Sequence, residues 1–275
     1  MSLARSAAPP RPASSQGRTA RPADAFPVLD ARPNSRVTKL AEGSGRSPIT
    51  VFCLATLAGY LVLAALAIGV GFLLVEALLP INAIEDADEG PTDWLARNRS
   101  GSLDDASYVA SAIGDIPAIP GLVFLTVIVA ALFRRWRVAA FMAGAILVEV
   151  ATYRITSMIV HRDRPSVPRL DDLPVNQSYP SGHVAASVVV YVGLALLLGS
   201  RMRARWATIL LWTLAFVLPL VVAVSRMYRG MHHPIDVTAG LLIGLASILI
   251  ALMAARAADA VSRSRGRAHD NGARQ

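Results

Sequence analysis

The chain has 275 residues, 54% of them hydrophobic and 17% charged, and its mean hydropathy is +0.48. That apolar share exceeds what a soluble domain carries and points to a membrane protein. The single cysteine, Cys53, excludes a disulfide framework, and the formal charge of +8 comes with no nucleic-acid-binding motif, so no nucleic-acid partner is expected.

In chain order, residues 1–46 are rich in Pro, Ser, Ala and Arg without a sustained apolar period, which predicts a disordered basic tail. Six apolar segments follow, at about 49–79, 116–133, 138–160, 184–199, 206–227 and 235–255. Each approaches or exceeds the roughly 20 residues that cross a bilayer. The first starts too late and runs too long for a cleaved signal peptide. The second is expected to begin earlier, within "DASYVASAIGD", and the fourth to take His183 into its first turn. Residues 257–275, again arginine-rich, predict a second basic tail. The expected fold is all-α, a six-transmembrane-helix bundle over residues 47–256.

Charge predicts the orientation. The N-terminal tail, the connections "RRWR" and "RMRAR" and the C-terminal tail are basic and mark one cytoplasmic face holding both termini. The connection between the first two segments carries Glu85, Asp86, Asp88, Glu89, Asp93, Asp104 and Asp105 and belongs outside. Loops 161–182 and 228–234 then face outside as well. Abundant Ala, Arg and Val beside a lone lysine, Lys39, suit a GC-rich bacterial genome, hence a bacterial inner membrane.

Three polar clusters meet the membrane at that outer face: "SMIVHRDRPSVPRLDD", "SYPSGH" and "SRMYRGMHHPID". Pro180-Ser181-Gly182 leads into the fourth segment, where a helix N-terminus offers free backbone N–H groups and glycine permits close approach, a setting for an anion. Ser181 adds a hydroxyl and His183 a group that titrates near neutrality. Gly230 suits a helix stop and Pro234 a first turn. His232 and Asp236 are four apart, so a carboxylate there can hold one imidazole nitrogen protonated and free the other for attack. Arg164 and Arg226 supply planar forks for phosphate oxygens. Each feature alone has a bland reading: arginines snorkel and Ser-Gly caps helices. Their concentration on one face is what argues for a site.

At these residues the sequence resembles the type 2 phosphatidic acid phosphatase (PAP2) family, membrane relatives of the vanadium haloperoxidase fold. The family pattern is Lys-x6-Arg-Pro, Pro-Ser-Gly-His, and Ser-Arg-x5-His-x3-Asp. Here Pro180 to His183 complete the second element, and Ser225, Arg226, His232 and Asp236 complete the third. The first keeps Arg164-Pro165. The resemblance implies a metal-independent phosphatase without a cofactor. In it His232 attacks phosphorus, Asp236 orients His232, and His183 protonates the leaving oxygen and then activates water. Arg164, Arg226, Ser181 and the Gly182 backbone hold the phosphoryl oxygens.

One position departs from the pattern. The family lysine falls on Ser157, and Lys39 lies in the tail. Arg154, one turn earlier, is the first candidate to replace its charge on the phosphate, with Arg162 or His161 as others. The substrate implied is a phosphorylated membrane lipid: phosphatidic acid, phosphatidylglycerol phosphate, or a polyprenyl mono- or diphosphate. Three alternatives stand beside this reading: an undecaprenyl-diphosphate phosphatase of cell-wall recycling, a non-catalytic lipid- or partner-binding protein, and a metallohydrolase using His183, His232, His233 and Asp236. The oligomeric state is not encoded in any motif.

Overall fold

In lipid, backbone N–H and C=O groups find partners only within the chain, and for apolar stretches of this length that means helix. The computed structural model describes residues 26–32, 35–115, 118–172 and 177–272, and no strand occurs among them. Helix α1 (Arg36–Glu42) precedes α2 (Pro48–Phe72), which runs on through a π turn at Leu73–Leu78. Ser47 caps α2 by accepting from the Thr50 N–H, with Pro48 in the first turn, so the long helix starts where the sequence changes from basic to apolar. Then come α3 (Asn82–Arg97), α4 (Gly101–Ala112), α5 (Ala118–Leu132), α6 (Trp136–Ile159), α7 (Gly182–Gly199), α8 (Arg205–Tyr228) and α9 (Pro234–Gly272).

Five helical stretches are long and apolar enough to cross a membrane: Pro48–Leu78, Trp136–Ile159, Gly182–Gly199, Arg205–Tyr228 and Pro234–Ala268. They coincide with the first, third, fourth, fifth and sixth expected segments, and His183 does lie in the first turn of α7. The second segment is realised as α5, 15 apolar residues, or about 22 Å at 1.5 Å per residue, against a hydrocarbon core of about 30 Å. Its expected earlier start is not what forms. The stretch before it is a separate helix, α4, which ends in a turn at Ile113 and Gly114.

Two further expectations are corrected. Residues 1–25 lie outside the described residues, but residues 26–46, read as disordered, hold a 3-10 turn at Pro27–Leu29 and helix α1. Leu29 is fully buried in the main core, and the Ala31 N–H donates to Asp259 at 2.7 Å. The C-terminal tail is likewise helical to Gly272, with Ala257, Ala260 and Val261 buried. The reason is mutual: Asp259 pairs with Arg137 and Arg263, Asp30 pairs with the same two arginines, and Arg256 donates to the Val28 carbonyl. Each tail supplies the opposite charge that a reading of one tail at a time does not see.

Helix α7 occupies the middle of the bundle, against α6, α8 and α9, with Val189, Val190, Ala195, Phe141, Met142 and Ala251 buried there. Helices α2 and α8 are peripheral and present Leu57, Leu61, Leu66, Phe216 and Leu220 outward, as lipid-facing helices do. Backbone approaches backbone closely between α7 and α9. A Cβ on Gly240 would stand 2.5 Å from the Ser181 carbonyl oxygen, and one on Gly244 would stand 2.6 Å from that of Ala185. Two glycines four apart therefore let the α9 backbone lie on α7. The contact ends at the site, where the Ser181 N–H donates to the Asp236 carbonyl at 3.0 Å.

Replacing Gly244 by leucine is expected to lower stability by about 1–3 kcal/mol through overpacking against backbone, read as a lower unfolding temperature in detergent. Gly69→Leu, at a position with nothing within 4 Å, is the control. Equal melting of the two variants would contradict the packing account.

Candidate active site

The geometry begins with how α8 stops. Gly230 takes φ +72, and the Gly230 and Met231 N–H groups return to the carbonyls of Met227 and Arg226, so the chain reverses within a few residues. Pro234 then opens α9. Between them His232 is buried at 4% exposure, with Nδ1 2.8 Å from the Ser178 carbonyl. A carbonyl only accepts, so Nδ1 carries the proton and Nε2 keeps its lone pair.

Asp236 stands differently from the expectation. Its Oδ2 is 3.8 Å from His232 Nδ1, beyond a hydrogen bond, and the carboxylate instead accepts from Ser178 Oγ, from Arg162 and from the His233 N–H. Its hold on His232 is partly indirect: Asp236 fixes Ser178, and the Ser178 carbonyl fixes the imidazole. Arg162, proposed from sequence as a phosphate cation, is spent here, bridging Asp236 and the buried Asp88. Asp88 also accepts from the Ile235 N–H at 2.9 Å, so a carboxylate from α3 caps the start of α9. His233 places Nδ1 3.2 Å from Asp236 and Nε2 2.8 Å from Glu89. Burial opposes its charged form, but Asp236 and Glu89 outweigh it and raise its pKa. With both nitrogens given to carboxylates, His233 has no lone pair for a metal, and among the described residues no group of three or more His, Cys, Asp or Glu is disposed to hold one.

The phosphate-directed residues gather around the same point. Ser181 caps α7 without using its hydroxyl in the cap, and its Oγ is buried with no partner among the described residues. Gly182 follows, where a Cβ would press at 3.1 Å on the Tyr153 ring. Arg226, 2% exposed, gives Nη1 to Ser111 and Asp171, each at 2.8 Å, while Nε and Nη2 are buried and unpartnered. Arg164 donates to the Met231 carbonyl beside His232, and burial together with Arg226 lowers its pKa. Arg164 and Arg226 both act electrostatically on His232. A buried donor without an acceptor costs about 1–3 kcal/mol. Uncommitted Ser181 Oγ, Arg226 Nε and Arg226 Nη2 therefore describe a cradle for an acceptor-rich anion.

His183 reaches the site from the first turn of α7, its Nε2 3.0 Å from Asp115. Arg154 does not join it: the side chain is exposed, while Ser157, at the family lysine position, is buried and donates to the Arg154 carbonyl at 3.1 Å. His161 is exposed, with Nδ1 at 3.2 Å from the Ile159 carbonyl. Neither therefore supplies the missing charge from where it stands.

Several residues escape a reading of motifs. Asp88, Glu89 and Asp115 sit in the acidic connection, which the sequence shows only as excess negative charge. In the structure α3 and the turn after α4 bring those carboxylates to Arg162, His233 and His183, with Asp88 alone fully buried. Asp171 binds Arg229 and Arg226 together, and Arg229 also donates to Ser107 on α4. The one available signal was arithmetic: arginines in unusual number in loops 161–182 and 228–234, with carboxylates enough to match them.

Parts of the chain are similar to known proteins. Residues 137–259 match the model of the PAP2 superfamily. An undecaprenyl-diphosphatase of Sulfolobus acidocaldarius is 34% identical over 107 residues, 39% of this chain and 48% of that protein. A bacitracin transport permease protein, BcrC, of Bacillus licheniformis is 33% identical over 85 residues, 31% of this chain and 37% of that one. The chain thus spans about half or less of the curated relatives it matches. A solved structure, the first transmembrane PAP2-type phosphatidylglycerolphosphate phosphatase from Bacillus subtilis, superposes with a TM-score of 0.58. It is 21% identical, over 74% of this chain and 94% of that one, a likeness of fold.

Two outcomes follow from the geometry. Burial lowers His232 from 6.5 to about 4, with Asp236 opposing. Between roughly those values the unfolded chain binds this proton and the folded chain does not, so His232 subtracts stability as pH falls through the window. Nitrogen NMR of the His183→Gln protein is expected to show His232 Nε2 unprotonated down to about pH 5, and titration near 6.5 would contradict the buried tautomer. Arg162→Met strands Asp88 without a cation and leaves Asp236 with His233 alone, and is expected to cost about 3–5 kcal/mol. Adding Asp88→Asn should restore part of the lost thermal stability, and a single variant as stable as wild type would be the contrary result.

Proposed function

We propose that this integral membrane protein, whose residues 137–259 match the PAP2 superfamily, is a metal-independent lipid phosphatase. It hydrolyses the phosphate ester or diphosphate of a membrane lipid at the outer face of a bacterial inner membrane. The observation that carries the reading is the pairing of a tautomer-fixed His232 with buried, uncommitted donors on Ser181 and Arg226. Those donors suit a phosphoryl group as charge spreads over its oxygens.

The reaction runs in two balanced steps. The Nε2 lone pair of His232 attacks phosphorus, the N–P bond forms as the P–O bond to the lipid breaks, and His183 gives its proton to the departing lipid oxygen. A water oxygen then bonds to phosphorus as the N–P bond breaks, and its proton returns to His183. The products are the lipid alcohol, or the lipid monophosphate when the substrate is a diphosphate, and inorganic phosphate. Ser178 and Asp236 keep the His232 ring aligned throughout, and Arg162 keeps Asp236 ionised and in place.

The same reading takes α5 as a sixth crossing and sets both termini in the cytoplasm, supported by the arginines at 134, 135 and 137 and at 201, 203 and 205. Substrates anchored in the outer leaflet meet the site without leaving the membrane: phosphatidic acid, phosphatidylglycerol phosphate and polyprenyl phosphates share the required head group. A polyprenyl diphosphate is the second candidate, favoured by the archaeal relative's name. The purified protein in detergent is expected to release inorganic phosphate from such a lipid panel, with chelator leaving the rate unchanged and His232→Ala lowering kcat by roughly a thousandfold or more. Release that persists in His232→Ala, or that stops with chelator, would refute the mechanism.

A further inference from the structure

Outside the family motifs, one carboxylate faces the site directly. Asp115 lies in the turn between α4 and α5, and its Oδ1 is 3.0 Å from His183 Nε2. The turn is pinned on two sides. Tyr191 of α7 donates its hydroxyl to the Ile113 carbonyl at 2.6 Å. A Cβ on Gly114 would stand 2.7 Å from Val222 of α8, so only glycine lets the turn lie this close. The Asp115 carbonyl in turn accepts from the Ile119 N–H at the start of α5. Asp115 is therefore carried to His183 by the packing of three helices.

The chemistry of the pair is directional. A carboxylate accepts, so the His183 proton at Nε2 is committed to Asp115, and Nδ1 is the nitrogen left for the substrate. Asp115 is close enough to Arg226 to act on it electrostatically, which sets the carboxylate between the acid and a phosphate-holding arginine. Its side chain is 45% exposed, so the carboxylate stands where the site opens to its surroundings.

We propose that Asp115 is a positioning residue for His183, fixing the ring so that Nδ1 is the nitrogen turned to the substrate, and that it thereby sets the enzyme's power against phosphate monoesters. The inference rests on the lipid-phosphatase reading above. Leaving groups divide on this point. A lipid alkoxide is a poor leaving group, so the Nδ1 proton must reach its oxygen as the P–O bond breaks. A lipid phosphate departing from a diphosphate leaves readily without that proton, and a negative Asp115 beside it repels it. Asp115 therefore favours monoester cleavage over diphosphate cleavage through one carboxylate.

The test compares two substrates in one preparation: phosphatidic acid and a short polyprenyl diphosphate, assayed by phosphate release from wild type and Asp115→Asn in detergent. The comparison uses kcat/KM, which reports the steps through departure of the leaving group. General acid catalysis contributes about 10²–10⁴-fold, so kcat/KM for the monoester is expected to fall at least ~10-fold further than that for the diphosphate. Asp115→Glu should restore part of the difference. An equal fall for both substrates marks a merely structural turn and overturns the proposal, as does no fall for either. Absence of phosphate release from wild type would refute the parent reading instead, and that arm is separate.

Discussion

The approach of α9 to α7 at Gly240 and Gly244 is the contact from which the site follows. Backbone lies nearly on backbone there, so the first turns of the two helices start side by side. Ser181 at the head of α7 donates to the Asp236 carbonyl in the first turn of α9, and His232 and His183 are thereby brought to one end of the bundle from positions 49 apart in sequence. Side chains larger than hydrogen at those two glycines would separate the elements that carry His232 and His183.

Around that contact the charges form a layered arrangement. Asp236, wholly buried, is the centre, tied to Ser178, Arg162 and the His233 N–H. Asp88 and Glu89 on α3 neutralise Arg162 and His233 from outside, and Asp171 joins Arg226 to Arg229. Buried ion pairs of this kind seldom add net stability, and losing one partner is costly. Their service is geometric: they turn part of each arginine toward carboxylates and leave Arg226 Nε and Nη2 and Ser181 Oγ uncommitted. The cationic cradle is thus built, and the acids set around it keep it rigid.

Much of this was legible in the sequence, for identifiable reasons. Apolar runs of spanning length gave four helices nearly to the residue and the start of a fifth, because nothing in lipid competes with helix for backbone hydrogen bonds. The pattern of Ser, Gly, His, Arg and Asp named residues that do converge, since each has a chemical task that few side chains perform. The partners of those residues were not legible. Arg162 toward Asp236, the Ser178 carbonyl toward His232 and Asp115 toward His183 depend on distances between segments, and a backbone carbonyl leaves no mark in the sequence. The tails failed for the same reason: Asp30 and Asp259 are both held by Arg137 and Arg263, which ties the two tails together across more than 200 residues of chain. Arg154 was judged by its spacing from Ser157, and helical geometry puts its side chain on the exposed side.

The central claim is covalent chemistry at one nitrogen, and it is tested most directly by trapping. Rapid quench of the His183→Gln protein with a polyprenyl diphosphate radiolabelled in its terminal phosphate, whose leaving group departs without the His183 proton, should leave label on the protein that is stable in base and lost in acid, as a phosphorus–nitrogen bond requires. The label should be absent when His232→Ala is added. Label that survives acid, or that forms as readily without His232, would contradict the account.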